Sequence, residues 1–155
     1  MNLDIYSTRL HFRRFRQSDI TNFIQYRNDP NVIRYQSWEP ITTPEAQAFI
    51  DEAIATPMVS PTGQIAIALR DTDELIGECY IHINYPEQAE LSLGLMQQYH
   101  RSGFGKEILL TLLDFAYNTL HLHRTYGYVA CDNVGQIALL EKTGHRYEGR
   151  TKLSF

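Results

Sequence analysis

The sequence is short of cysteine, of surplus positive charge and of long apolar runs. Cys79 and Cys131 are its two cysteines. They lie far apart and form no CxxC, so neither a disulfide framework nor a structural zinc site is expected, and both read as buried thiols of a reducing compartment. Lys and Arg number 14 against 18 Asp and Glu, a formal charge of −4. A nucleic-acid binder needs surplus cations to displace counterions from phosphates, so that class is not expected. No apolar stretch approaches the ~20 residues of a membrane span. The opening Met-Asn-Leu-Asp-Ile-Tyr has no basic segment leading into an apolar one, so no secretory signal is expected. The reading is a cytoplasmic protein with neither membrane nor nucleic acid as partner. His121 and His123 stand two apart without a third ligand nearby, and no metal is expected there.

What is present is ordinary globular composition, 43% hydrophobic and 21% charged over 155 residues. That length predicts one domain, 1–155, since a second core would leave each half short of buried surface. Leu10 to Arg16 reads as a first strand. Ser18 then caps a helix carrying Ile20, Phe23 and Ile24. Thr43-Pro44-Glu45 reads as N-cap, helical proline and first-turn acid, followed by the apolar face Ala46, Phe49, Ile50, Ala53 and Ile54. Strands are expected over 64–70, 75–84 and 89–96, and their short turns predict an antiparallel meander. In the last of them Leu91, Leu93 and Leu95 share one face, while Glu90, Ser92, Gly94 and Met96 share the other. After Gly103-Phe104-Gly105 comes a long amphipathic helix through Ile108, Leu109, Leu112, Leu113, Ala116 and Leu120. Strands over 124–130 and 147–155 flank a helix that opens at Asn133-Val134-Gly135 and stops at Gly144. The fold class is α/β, with mixed helices and strands.

The strand, Gly-x-Gly turn and helix around residue 103 carry the most chemistry. Glycines let successive backbone N–H groups point at one spot, and the helix adds unpaired N–H groups and the positive end of its dipole. That is a phosphate or pyrophosphate cradle. It is neither a P-loop, lacking GxxxxGK[ST], nor a dinucleotide fingerprint, lacking a third glycine and a preceding βαβ unit.

In the order of its parts, His100-Arg101-Ser102-Gly103-Phe104-Gly105 resembles the acyl-CoA loop, Arg/Gln-x-x-Gly-x-Gly/Ala, of the GNAT N-acetyltransferase superfamily. Thr8 to Arg13, Trp38-Glu39-Pro40, Ala89 to Leu95, His121 to Arg124 and Asn133 to Gly149 are similar to segments of its ribosomal-protein-alanine acetyltransferase (RimJ/RimL-like) group. The resemblance implies a central, mostly antiparallel sheet whose fourth and fifth strands splay apart to admit acetyl-CoA. The implied cofactor contacts are Leu95 and Met96 on the fourth strand, Arg101, Ser102, Gly103, Phe104, Gly105 and Lys106 in the loop, and Asn133 and Gln136 at the next helix. The implied reaction is direct acetyl transfer to a primary amine, and no metal takes part. Several positions depart from the family. His100 replaces the Arg or Gln. Gln136 replaces the usual Ser or Ala. Leu140 stands where other branches carry a tyrosine acid. The chain stops at Phe155, where relatives usually continue into one more strand. The missing strand would be supplied by a partner chain, as in a homodimer, or its absence leaves a shortened protein.

Glu90 is the first candidate for general base, directly or through a water; a structural carboxylate on a sheet face is the competing reading. His82 shares the period-2 face of Glu78 and Tyr80, and its ordinary pKa suits amine deprotonation. Tyr35 and Trp38 lie in the insert that would roof the acceptor site. The acceptor is a small-molecule amine, a polyamine or a protein N-terminus. Two rivals stand beside this reading: a catalytically weak acyl-CoA-binding module, and a structural subunit that assembles through an open sheet edge.

Overall fold

A computed structural model describes residues 4–34, 36, 38–127 and 134–144. Among these residues six strands form one sheet in sequence order: β1 (Ile5–Tyr6), β2 (Leu10–Arg13), β3 (Ile65–Leu69), β4 (Leu75–Tyr85), β5 (Gln88–Leu95) and β6 (Arg124–Tyr126). The first five are antiparallel neighbours. β6 alone runs parallel to its neighbour, registering Gln88 with Arg124, Ala89 with Thr125 and Glu90 with Tyr126. Parallel pairing demands a crossover, and the crossover is α4 (Phe104–Asp114), extended by a π turn over Phe115–Thr119. The expected mixed α/β sheet and its meander are thus present.

The two faces of the sheet bury different partners. Leu91 and Leu95 join Ile108, Leu109, Leu112 and Phe115 of the α4 segment in one core. On the opposite face α1 (Ile20–Asn28), α2 (Pro30–Ile33) and α3 (Thr43–Ala55) form a second core with Phe15, Phe23, Tyr26, Ile50 and Met96. The alternation read along β5 is therefore real, and its two stripes face different helices. α5 (Val134–Lys142) ends at Gly144, whose φ of 92° is the left-handed stop expected there.

Several boundaries differ from expectation, each for a local reason. β1 has no counterpart among the expected strands; two residues carry too little periodicity to be read. β2 ends at Arg13 rather than Arg16, because Arg13 turns inward. It lies 2% exposed and pairs with both oxygens of Asp19 at 2.9 Å. Asp19 also accepts the Arg16 N–H at 2.8 Å, so the turn into α1 is held by Asp19 and not by Ser18. The cap of α3 is Thr42, one residue before the expected Thr43. Its Oγ accepts the Glu45 N–H, and the Glu45 carboxylate accepts the Thr42 N–H, a reciprocal capping box.

Candidate acetyl-transfer site

Among the described residues β5 registers with β6 from Gln88 to Glu90, and β5 itself continues to Leu95. Two side-chain groups lie along the face that β5 shares with β4, where His82 pairs with Glu90, Tyr80 with Ser92 and Glu78 with Gly94. The first centres on Glu90. The Tyr80 hydroxyl donates to Glu90 Oε2, and the Tyr80 ring stacks on His82 with centroids 3.6 Å apart and planes 5° from parallel. His82 lies directly across the ladder from Glu90. Its Nε2 faces the Gly63 carbonyl at 2.9 Å, which makes Nε2 the protonated nitrogen and leaves Nδ1 as the basic one. Burial lowers the His82 pKa from its ordinary 6.5, against the opposing pull of the Gly63 bond and the Glu90 charge. The imidazole is therefore neutral at neutral pH. Burial and the Glu90 carboxylate together push the Tyr80 phenol well up. Tyr80 is thus a hydrogen-bond donor and not a proton source, and it fixes one oxygen of Glu90.

The second group sits nearer the end of β5. Arg27 pairs with Glu78 Oε1 at 2.9–3.1 Å and lays its guanidinium on the Trp38 ring, 4.1 Å from the centroid. Tyr26 leans on Trp38 at 5.6 Å and reaches over Gly94. A β-carbon at Gly94 would stand 2.0 Å from Tyr26 Oη, so this strand position requires glycine for the phenol to seat. Tyr26 Oη, Trp38 Nε1 and Glu78 Oε2 are buried and make no hydrogen bond among the described residues. Burial drives the Glu78 carboxyl up, opposed by Arg27, and drives the Tyr26 phenol up with help from Glu78.

The glycine turn has the conformation the sequence implies. Gly103 takes φ 81° and ψ 2° as the N-cap of α4. The Glu107 N–H, bonded to the Gly103 carbonyl at 3.1 Å, is the first of the helix ladder, so the N–H groups of Phe104, Gly105 and Lys106 precede it. Arg9, from the turn before β2, clasps the loop from behind. It donates to the Ser102 carbonyl at 3.0 Å and to Glu107 Oε1 at 2.7 Å, and it stacks on Phe104 at 3.9 Å. In a trans peptide the carbonyl and the next N–H point oppositely. Holding the Ser102 carbonyl against Arg9 therefore turns the Gly103 N–H away from it. Glu107 would otherwise oppose an anion at this helix start. Burial raises its pKa, but the bonds from Ser7 and Arg9 outweigh that and hold it below the usual carboxylate range. Arg9→Ala is expected to weaken acetyl-CoA binding roughly tenfold, about 1.4 kcal/mol, with the melting temperature nearly unchanged; calorimetric titration beside a thermal melt checks both.

Other expected site residues divide by what their side chains do. Leu95, Met96 and Phe104 are buried in the two cores, which leaves only their backbones for a ligand. The Met96 N–H is engaged with the Ile76 carbonyl, and His100 Nε2 donates to the Leu95 carbonyl at 2.9 Å. Arg101, Ser102 and Lys106 are exposed around the turn. Asn133, Tyr35 and Cys131 lie outside the described residues, as does the strand expected over 147–155. Gln136 lies within α5, its side chain not among those described. Cys79 is buried in the core, and burial pushes its thiol well up, away from the thiolate a nucleophile needs. Among the described residues no cluster of three or more His, Cys, Asp or Glu is arranged for a metal, and no helix is long and apolar enough to cross a membrane. Sequence reasoning missed Arg9 and Tyr80 as site residues. Tyr80 had a signal, since it shares a period-2 face with His82. Arg9 had none, because its partners are more than ninety positions away in sequence.

Comparison with known proteins bears on the same geometry. Residues 9–146 match the family model described as "Acetyltransferase (GNAT) domain". An "uncharacterized N-acetyltransferase p20" of Bacillus licheniformis is 28% identical over 148 residues, 94% of this chain and 83% of that protein. A spermidine N(1)-acetyltransferase of Vibrio cholerae is 24% identical over 92% of this chain and 82% of its own length. The crystal structure of a GNAT-family acetyltransferase from Bacillus anthracis superposes with a TM-score of 0.84 at 22% identity, covering 95% of this chain and 86% of that one. The chain belongs to the GNAT acetyltransferase domain family and is an acetyl-CoA-dependent N-acetyltransferase.

Proposed function

We propose that the protein transfers the acetyl group of acetyl-CoA directly to a primary amine held over β5, with Glu90 as general base. The observation that carries this reading is the placement of Glu90. Its carboxylate stands on the face of β5 opposite the α4 core, in register with Tyr126 of β6, with one oxygen held by Tyr80. A carboxylate oriented by one donor keeps a second oxygen for the proton of an incoming ammonium, directly or through a water. His82, neutral and directly across the strand pair, is the alternative base. Acetyl-CoA supplies the activated thioester. The Gly103 turn, with Arg101, Ser102, Gly105 and Lys106 around it, is read as the pyrophosphate cradle. The backbones of Leu95, Met96 and Phe104 complete the cofactor path, with Asn133 and Gln136 at the next helix. A backbone N–H of β5 is the donor for the developing oxyanion.

Trp38 and Tyr35 form the acceptor wall in this reading. The acceptor is a polyamine, another small amine or a protein N-terminus. The polyamine class gains support from the relative named spermidine N(1)-acetyltransferase and from the net negative charge, which favours cationic acceptors. The RimJ/RimL-like grouping, and with it a protein N-terminus, rests on the segments quoted from the sequence. The cytoplasm is the proposed compartment, and a homodimer is the proposed assembly. The test is calorimetric titration of acetyl-CoA, with ATP and NADH as controls, followed by an amine panel read by thiol release. Binding of acetyl-CoA alone with turnover of at least one amine class supports the proposal. Binding without turnover of any amine would favour the acyl-CoA-binding module, and a folded protein with no binding would favour the structural subunit.

A further inference from the structure

Tyr80 and His82 stand two apart on β4, so they share the face on which the ladder sets His82 across from Glu90. On the other side of β5 the parallel register places Tyr126 beside Glu90, on that same face. Three rings from two strands thus come to one carboxylate. The Tyr80 hydroxyl donates to Glu90 Oε2, and the Tyr80 and His82 rings stack with centroids 3.6 Å apart. Asn84 stands where the β4–β5 ladder bulges, between Ile83 and Tyr85, and it donates to the Tyr126 hydroxyl. A bulge re-aims a side chain. Since β5 lies between β4 and β6, this bond draws the Tyr126 phenol across β5 toward β4. The phenol comes close enough to Tyr80 to oppose its ionisation, as Glu90 does. Arg124 rests 5.1 Å from the centre of the Tyr126 ring, so this ring already receives a cation. Burial keeps His82 neutral, and Tyr80 keeps its proton. The stacked pair is therefore uncharged, and the Glu90 carboxylate supplies the charge beside it. Tyr80, His82, Glu90 and Tyr126 are all half-buried, so the group meets solvent.

We propose that Tyr80, His82 and Tyr126 form, with the Glu90 carboxylate, an aromatic basket that binds the reacting nitrogen of the acceptor as an ammonium ion, and that Tyr126 is a specificity residue for aliphatic amines. This inference deepens the reading of Glu90 above and rests on it. Ring faces attract a cation through their quadrupole, and the carboxylate attracts it by charge. An aliphatic amine, like the lysine side chain, is an ammonium ion at neutral pH. An aromatic amine is uncharged there and gains neither attraction. Glu90 then stands in place to take the ammonium proton. Tyr126 binds without moving a proton, so its loss bears on KM and not on kcat.

The probe is the tetramethylammonium ion, which carries the charge and cannot be acetylated. It is tested as an inhibitor of amine acetylation, and against the melting temperature, in the wild type, Tyr126→Leu and Tyr126→Phe. Sodium chloride at equal ionic strength and uncharged tert-butanol are the controls. In the wild type the ion should compete with the amine and not with acetyl-CoA, and neither control should do so. Tyr126→Leu should raise KM for an aliphatic amine and weaken the inhibition about three- to tenfold, the range of a cation–ring contact, with kcat and acetyl-CoA affinity near the wild type. Tyr126→Phe keeps the ring and loses the bond from Asn84, so it should restore most of the binding. Inhibition by tetramethylammonium no stronger than by the controls overturns the proposal, and this result needs the wild type alone. KM values that agree between wild type and Tyr126→Leu also overturn it. So does Tyr126→Phe behaving as Tyr126→Leu does, since the hydroxyl and not the ring would then matter. If no amine is acetylated, the transfer reading fails instead, and the melting temperatures still decide the basket. Tetramethylammonium should raise those of the wild type and Tyr126→Phe above the controls, and leave that of Tyr126→Leu unmoved.

Discussion

Glu90→Gln is expected to lower kcat by about 10²- to 10⁴-fold, the range for removing a positioned general base, while leaving acetyl-CoA affinity and the melting temperature close to wild type. The fold should tolerate the change because the glutamine carbonyl can still accept the Tyr80 hydroxyl that now bonds Glu90 Oε2. Glu90 is half-buried, so no deep ion pair is broken. The pH–rate profile decides the assignment. A general base must be unprotonated, so activity falls as pH drops through its pKa. In the variant that acidic limb should disappear along with most of the rate. If Glu90→Gln keeps both the limb and the rate, Glu90 is not the base and His82 takes its place. His82 is the better placed of the remaining groups, since burial holds its pKa below 6.5 and its imidazole is neutral above that pH. His82→Gln would then remove the limb. Tyr80→Phe separates positioning from proton transfer. It should lower kcat several-fold and keep the limb, because Glu90 stays but loses the donor that orients one oxygen.

Much of this site is legible in the amino-acid order alone. Period-2 alternation puts Glu90, Ser92 and Gly94 on one face of β5 and the leucines on the other, and both cores follow that division. The glycine turn and the helix after it are readable because their signals are local: a left-handed glycine, then apolar residues at helical spacing. What escapes is set by contacts far along the chain. Arg13 falls in the expected first strand with nothing local to mark its partners, and its guanidinium is buried on Asp19 and also bonds Asp73, sixty residues away. Arg9 reads as part of a strand entrance, and it holds a helix start more than ninety residues later. Trp38 reads as part of the roof over the acceptor site. In the fold it packs against Arg27 and Tyr26, while its Nε1, unpaired among the described residues, keeps a polar function open to it. Thr42 and Thr43 compete for the cap of α3. Both residues are good caps, and only the reach of Glu45 back to the Thr42 N–H distinguishes them.

Gly103→Asp should reduce acetyl-CoA affinity by at least a hundredfold, whereas Gly103→Asn should cost far less; the difference between them isolates charge from backbone strain. Gly103 holds φ 81°, where most side chains are strained. Asn and Asp are the residues that enter this region most readily after glycine, and they do so with nearly the same shape. The site has room for either. Among the described residues a β-carbon there would meet only the Arg9 guanidinium, at 3.5 Å. Both variants should therefore melt within a few degrees of each other. They differ in that aspartate adds a negative charge at the N-cap of α4, on the spot where the unpaired N–H groups and the dipole otherwise favour phosphate. The new carboxylate would also compete for Arg9, drawing it from Glu107 and the Ser102 carbonyl and loosening the clasp that orients the turn. Raising the salt concentration should recover part of the aspartate loss and none of the asparagine loss, since only the first is a repulsion that ions screen. Equal affinities for the two variants would mean that the turn holds no anion and that acetyl-CoA is gripped elsewhere along β5.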